Sequence, residues 1–388
     1  MVKKFNFLCK PEVYYGKNSV ALLPSIVKKT GKKKLLVVVD SNFSKTPFFS
    51  DIEKALSEEK IDYVVFDKIS GEPSTEIGDE CAEFGKKNNC DIVCGIGGGS
   101  SLDVAKAASV LITNGGTVRD YQGLNKVPEA GLPKIMIPTT AGTGSEVTFT
   151  AVFIRKDEKK KGGINSPYLY PDYAILDPVL TISLPKEITA STGLDALCHA
   201  IESYISKKAN FLSETISLWA IKYIWDNLPV AFSKGEDLKA REKMLYGSFL
   251  AGLGLVNAGV TAVHSISYPL GGTYGIPHGI GNGLLLPYVL EFDIEKDISF
   301  TVEEKLASIT DIIKPDLKFE EKEKAKFLVE EIKKFLDIFK IPRLKDLNVS
   351  KESFPQLAED ALNVSVPIEN NPVAIKKEDI IEIYEKAY

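Results

Sequence analysis

His199, His264 and His278 are the only histidines in a chain of 388 residues. His199 closes the segment Asp195-Ala196-Leu197-Cys198-His199, which has helical periodicity. Asp195 and His199 are four apart, so both side chains leave one helix face. His264 and His278 lie in glycine-rich segments, Val263–Gly272 and Gly275–Asn282, where the backbone can bend to aim side chains. Both fall in a stretch from Met244 to Leu290 with no Asp, Glu, Lys or Arg, although 26% of the chain is charged. A lone D-x-x-x-H is usually a surface pair or a cap, and any one of these histidines alone reads as a satisfied core residue. The concentration of all three, with none elsewhere, favours one metal site built from Asp195, His199, His264 and His278. Three imidazoles and one carboxylate suit Fe²⁺ or Zn²⁺ better than the oxygen-preferring Mg²⁺ or Ca²⁺. A cation there with a position to spare would stabilise charge on a substrate oxygen and make alcohol deprotonation feasible near neutral pH.

A second group of residues could hold a phosphate. Gly97-Gly98-Gly99-Ser100 follows an apolar strand and opens a helix. Glycines there let the backbone approach an anion, and the helix N-terminus supplies N–H groups and a positive dipole end. Ser100 and Ser101 add hydroxyl donors. The string is not a Walker A loop, because no Gly-Lys-Ser/Thr follows. It also departs from the usual dinucleotide fingerprint, since the acid-ended strand precedes the glycines instead of following them. That strand ends on Asp40, which can accept from a ribose diol and repel a 2′-phosphate. Asp40 can equally cap the loop Ser41-Asn42-Phe43, and local sequence does not choose between the two.

The elements that must carry these residues change character along the chain. Apolar runs of strand length at 34–40, 63–66, 91–96, 133–138 and 173–177 alternate with helical stretches at 20–29, 48–59, 75–88 and from the Gly97–Ser100 string to about Thr113. Residues 11–16 read as a further short strand, and 147–154 as a hairpin arm reaching Lys161. Continuous apolar strands separated by helices predict a doubly wound α/β unit with a buried parallel sheet. From a boundary near 180–186 the pattern becomes helical, at 187–207, 211–227, 240–257, 302–313, 320–339 and 377–387.

At this length two domains are the default. A formal net charge of −5 gives no broad pull towards nucleic acid or anionic lipid. Glycines, prolines, asparagines and histidines interrupt the uncharged stretch, which therefore reads as buried interior and not as a membrane span. The first ten residues hold too short an apolar run for a signal peptide. Five cysteines without a C-x-x-C pair suggest reduced thiols and a cytoplasmic protein.

Taken together, these residues resemble the iron-containing alcohol dehydrogenases, the metal-dependent group III with a dehydroquinate synthase-like fold. The likeness runs from Tyr15-Gly16 to Asn371-Pro372. Its most specific parts are Gly97-Gly98-Gly99-Ser100-x-x-Asp103-x-Ala105-Lys106, the segment Pro138–Glu146, and D-x-x-x-H with H-x13-H. The resemblance implies an α/β dinucleotide-binding (Rossmann-like) domain over 1–183 and an all-α metal-binding domain over 184–388. It makes Asp195, His199, His264 and His278 ligands of Fe²⁺, with Zn²⁺ the alternative. It gives the pyrophosphate to Gly97, Gly98, Gly99 and Ser100, and the adenosine ribose to Asp40, which favours NAD over NADP. Thr139, Thr140, Thr143 and Lys161 become further cofactor contacts, and Asp103 a support on the nicotinamide side. The implied activity is hydride transfer between a nicotinamide dinucleotide and a small alcohol, diol or aldehyde, in a homodimer or higher homo-oligomer.

Two departures stand out. Many relatives have histidine four residues after the third ligand, with a proton-relay or substrate-positioning role, and here Tyr268 occupies that place. A phenol of pKa near 10 is a poor base at pH 7. Relatives also tend to have Asn before Pro73, where this chain has Glu72. The rival readings are a polyol or hydroxy-acid dehydrogenase or transhydrogenase of the same fold, a metal-dependent lyase or hydrolase, and a catalytically silent protein that binds nucleotide and metal.

Overall fold

The computed structural model describes residues 4–158, 160–299 and 301–388. The chain forms two compact units, Cys9–Leu184 and Pro185–Tyr388, the second also including the segment that ends at Leu8. That segment is tied to the second unit by a pair of hydrogen bonds between the Leu8 backbone and the Asn257 amide, at 2.7 and 3.0 Å.

In the first unit the strands are β1 (Glu12–Tyr15), β2 (Lys34–Asp40), β3 (Asp62–Ile69), β4 (Ile92–Gly97), β5 (Gly123–Leu124), β6 (Lys134–Pro138), β7 (Thr150–Arg155), β8 (Lys160–Asn165) and β9 (Tyr173–Leu176). The helices between them are α1 (Leu23–Lys29), α2 (Pro47–Glu58), α3 (Thr75–Lys87), α4 (Gly99–Asn114) and α5 (Val118–Tyr121). Six strands make a parallel sheet in the order β1-β9-β6-β4-β2-β3. Its central strands are the continuous apolar runs, because both of their faces are covered. On β2, Leu36 and Val38 join Val93, Met136 and the α4 residues Leu102 and Val104. Leu35, Val37 and Val39 point the other way, onto Ile92, Cys94 and the α1 and α2 residues Ile26, Phe49 and Ile52. The expected hairpin is β7 with β8, antiparallel from Thr150–Asn165 to Arg155–Lys160, in a second small sheet with β5.

The second unit is helical: α6 (Lys186–Ile205), α7 (Phe211–Ser233), α8 (Leu238–Ala258), α9 (Ala262–Tyr274), α10 (His278–Lys296), α11 (Thr301–Ile313), α12 (Glu321–Ile338), α13 (Phe354–Leu362), α14 (Ser365–Asn370) and α15 (Lys377–Ala387). On α7, Trp225 stacks on Phe335 of α12 with ring centroids 4.2 Å apart. The uncharged stretch forms most of α8, all of α9 and the first part of α10, and most of its side chains are buried. Among the described residues no single helix is long and apolar enough to cross a membrane; α8 and α9 meet that test only together, across a 107° bend. His264 and His278 themselves lie in regular helix, and the expected bend falls between them at residues 275–277, where Gly275 has φ +68°. Pro269 and Pro287 lie inside α9 and α10. Burial of these segments outweighs their weak helix propensity.

Candidate metal centre and dinucleotide cradle

Helix α6 presents Asp195, His199 and Glu202 at i, i+4 and i+7, one face of one helix. Asp195 Oδ1 lies 3.9 Å from His199 Nε2, 3.7 Å from His264 Nε2 and 3.7 Å from His278 Nε2. The structure thus brings together the four side chains expected to form one site. Ligand atoms of Asp195, His199 and His264 all lie within 4.8 Å of one another. Ligands on bonds of about 2.1 Å stand about 3.4 Å apart in a tetrahedral shell, so each separation between Asp195 Oδ1 and an imidazole nitrogen is within a few tenths of an ångström of that spacing. One anionic oxygen facing imidazole nitrogens fits Fe²⁺ or Zn²⁺. Asp195, His199 and His264 are buried, whereas the His278 side chain is 27% exposed and marks the open side.

Close packing of α10 on α6 makes this convergence possible. A Cβ on Gly279 would sit 1.9 Å from the Ser191 carbonyl oxygen and 3.1 Å from Asp195 Cβ. Only glycine at that position allows the first turn of α10, with His278, to lie so near Asp195.

Two residues of the site were not anticipated. The Asn282 amide Nδ2 donates to Asp195 Oδ1 at 2.8 Å and lies 3.1 Å from His264 Nε2 and 3.2 Å from His278 Nε2. Its Oδ1 accepts from the Ser267 hydroxyl. Glu202, fully buried, accepts from His264 Nδ1 and from the start of α9. Their sequence signals are the spacings D-x3-H-x2-E and H-x3-N.

Burial alone would raise the Asp195 carboxyl, but the three imidazoles and the Asn282 amide outweigh it and hold the group down at about 2. Burial pulls His264 down, and the charge and hydrogen bond of Glu202 more than reverse that, leaving it raised. Tyr268 stacks on His278, with centroids 5.2 Å apart and planes at 7°. Burial first, and then the charges of Asp195 and Glu202, push its phenol well above the ordinary value. Tyr268 therefore stays protonated and packs against a candidate ligand.

In the first unit, Gly97 has φ +149°, and a Cβ there would lie 2.6 Å from Ser101 Oγ. A Cβ on Gly99 would lie 2.7 Å from Thr143 Cγ2, and one on Gly98 3.2 Å from Thr140 Cγ2. Thr139 donates its N–H to the Gly97 carbonyl at 2.9 Å. The structure thus brings Gly97, Gly98 and Gly99 against Thr139, Thr140 and Thr143, with Ser100 in the first turn of α4. That helix has Gly98 as its N-cap, with no side-chain cap, so its first N–H groups are available to an anion. Ser101 Oγ is buried and has no hydrogen-bond partner. An uncapped helix start, an orphaned hydroxyl and a wall with no room for Cβ atoms fit a dinucleotide phosphate.

Asp40 sits beside this loop, its Cβ 3.5 Å from where a Gly97 Cβ would be. Its Oδ1 accepts from the N–H groups of Asn42 and Phe43 at 2.8 and 3.1 Å, so it does cap its own loop. The other oxygen takes no hydrogen bond among the described residues, which keeps the ribose reading compatible with the capping one. Asp103 is committed to the protein: it accepts from Ser145 Oγ at 2.6 Å and from the Val152 N–H at 2.8 Å, and pairs with Lys106 at 3.3 Å. It shapes the 143–152 segment from within. Lys161, on β8, pairs with the partly exposed Glu72 at 2.5 Å.

Comparison with known proteins gives a consistent picture. The family model described as iron-containing alcohol dehydrogenase matches residues 10–178, and that described as the Fe-containing alcohol dehydrogenase family, C-terminal, matches 189–388. Long-chain-alcohol dehydrogenase 1 of Geobacillus thermodenitrificans is 37% identical over 97% of this chain and 95% of its own length. NAD-dependent methanol dehydrogenase of Bacillus methanolicus is 34% identical over 98% and 99%. A crystal structure of 1,3-propanediol oxidoreductase superposes with a TM-score of 0.94 at 32% identity, covering both chains completely.

Proposed function

The chain belongs to the iron-containing alcohol dehydrogenase family, and from that premise we propose that it interconverts a small alcohol or diol and the matching aldehyde. Its cofactor is NAD in preference to NADP, and its metal is iron, with zinc able to serve. One observation carries the reading: every imidazole of the chain turns Nε2 to within 3.9 Å of a single buried carboxylate oxygen.

When bound, the cation would supply Lewis-acid stabilisation of an alcohol oxygen and the nicotinamide would take up the hydride. The rest falls to this chain's side chains. Asp195 brings the one negative charge among the ligands. His278, the exposed member, faces the side from which substrate enters. Gly97 to Ser100 and the start of α4 hold the pyrophosphate, while Thr139, Thr140 and Thr143 wall the loop. Asp103 and Lys106 fix that wall from beneath. Lys161 contributes as half of an ion pair with Glu72, whose negative charge disfavours a 2′-phosphate. Tyr268 orients His278 by stacking and moves no proton. Catalysis is then positioning and charge stabilisation, with no covalent intermediate on the protein.

The free cysteines support a cytoplasmic setting, and the family resemblance alone supports a homodimer or larger homo-oligomer. The test is direct: purified protein with Fe²⁺ or Zn²⁺, NADH and a panel of short aldehydes should consume nicotinamide absorbance. His264→Ala and Asp195→Ala should abolish that turnover while NADH still binds. Undiminished turnover in a metal-depleted variant contradicts the proposal.

A further inference from the structure

We propose that Glu202 is a positioning residue of the metal centre, holding His264 in the tautomer that keeps its proton on Nδ1 and offers the Nε2 electron pair to a cation. This rests on the metal reading above and adds a requirement to it. Glu202 lies seven residues after Asp195 on α6 and has no exposed surface. Four donors converge on it. Oε1 accepts from the Thr261 N–H at 2.9 Å, the Thr261 hydroxyl at 3.1 Å and the His264 N–H at 3.3 Å. Oε2 accepts from His264 Nδ1. Thr261 is the N-cap of α9 and His264 its third residue, so the carboxylate also meets the positive end of a helix. A single side chain thereby fixes both the backbone and the ring of His264.

The opposite edge of the ring is compatible with the same proton position. Asn282 Nδ2 lies 3.1 Å from His264 Nε2 and 2.8 Å from Asp195 Oδ1. Its orientation is set by that carboxylate, which can only accept, and by the Ser267 hydroxyl on its Oδ1. A carboxylate facing His264 Nδ1 requires a proton there. The two N–H groups of Asn282 serve Asp195 Oδ1 and one of two imidazole nitrogens, His264 Nε2 or His278 Nε2. This edge therefore accommodates a lone pair on His264 Nε2, while Glu202 is the neighbour that fixes the tautomer in which Nε2 can ligate.

The chemistry also explains why this position is glutamate. Every group that faces it is a donor, so an amide cannot replace it. In Glu202→Gln the new NH₂ must oppose either the donors at the α9 start or His264 Nδ1. In the second arrangement it pulls the ring proton onto Nε2 and blocks that ligand.

The experiment uses metal-free full-length protein and Co²⁺ as the probe. Glu202→Gln should raise the Co²⁺ dissociation constant about 10–100-fold over wild type, the range for partners that orient a ligand, and alter the Co²⁺ d–d band. The histidine ¹⁵N spectrum supplies a second readout, simple because the chain has three histidines. In metal-free wild type at pH 9, His264 should show a protonated Nδ1 and a bare Nε2. A folded Glu202→Gln protein with a dissociation constant within about twofold of wild type overturns the proposal. Should that variant fail to fold, the wild-type spectrum decides: a neutral His264 ring with its proton on Nε2 overturns the assignment equally. Wild type that binds no Co²⁺ would instead sink the metal reading, while the tautomer would still report on Glu202.

Discussion

Lys106→Met should unfasten the wall of the dinucleotide cradle. Lys106 is fully buried, and its ammonium donates to the carbonyl of Ser145 at 3.0 Å, to Thr148 Oγ1 at 3.2 Å and to the Thr150 carbonyl. It also pairs with Asp103 at 3.3 Å. Burial pulls its pKa down, and the charges of Asp103 and Glu146 oppose that pull. Methionine fills the volume of the stem and supplies no donor. Removing one partner of a buried pair costs about 3–5 kcal/mol, and each stranded acceptor about 1–3 kcal/mol, terms that overlap. Asp103 is 13% exposed and keeps its bonds from Ser145 and Val152, which tempers the loss. The expected cost is therefore about 3–5 kcal/mol for the unit Cys9–Leu184. It should be read by urea unfolding followed in the far ultraviolet. Thr143 and Ser145 lose their anchor with it, so NADH affinity should fall about tenfold or more, equivalent to about 1.4 kcal/mol. In the double variant with Asp103→Asn the losses should add to less than their sum, because the two groups share one interaction. Lys106→Met with stability within about 1 kcal/mol of wild type and unchanged NADH affinity would refute this account.

Three further outcomes follow from particular residues. Asp40→Gly should narrow the preference for NAD over NADP, read as the ratio of the two kcat/KM values; an unmoved ratio removes Asp40 from ribose recognition and leaves only its loop cap. Gly279→Ala drives a methyl group into the Ser191 carbonyl oxygen, 1.9 Å away, so α10 must shift. Stability should fall by about 1–3 kcal/mol and Co²⁺ affinity should weaken with it, measured by thermal melting and metal titration. Asp293 is buried against Asn371, and burial pushes its carboxyl up to about 8. The folded state then holds a proton between about pH 4 and pH 8 that the unfolded state has lost, so stability falls as pH rises through that window. Asp293→Asn should flatten the decline by a few kcal/mol, at about 1.4 kcal/mol per pH unit; parallel melting-versus-pH curves would contradict it.

The parallel sheet was readable because strands covered on both faces must be apolar throughout, as β2, β4 and β6 are. Histidine scarcity pointed to the metal site, and the glycine loop to the cradle. What sequence concealed is long-range. Helices α9 and α10 looked like broken backbone because Pro269, Gly271 and Gly272 count against helix locally, whereas burial decides their form. Helices α13 and α14 carry too few residues for their period to stand out. Glu202 sits at a legible spacing from Asp195, yet its partners Thr261 and His264 lie 59 and 62 residues away. Glu72 gave no hint that it would meet Lys161, 89 residues on. Asp40 showed two local roles, ribose acceptor and loop cap, and the Asn42 and Phe43 N–H groups establish the cap.

Both tryptophans of the chain, Trp219 and Trp225, belong to α7, and none lies in the unit that bears the glycine loop. Indole emission is consequently a one-sided gauge: it registers melting of the helical half and is blind to the other. Wherever the emission curve and the ellipticity curve part company, the gap belongs to the dinucleotide half. The natural chain thus comes with a built-in means of assigning damage to one unit or the other, without any added label.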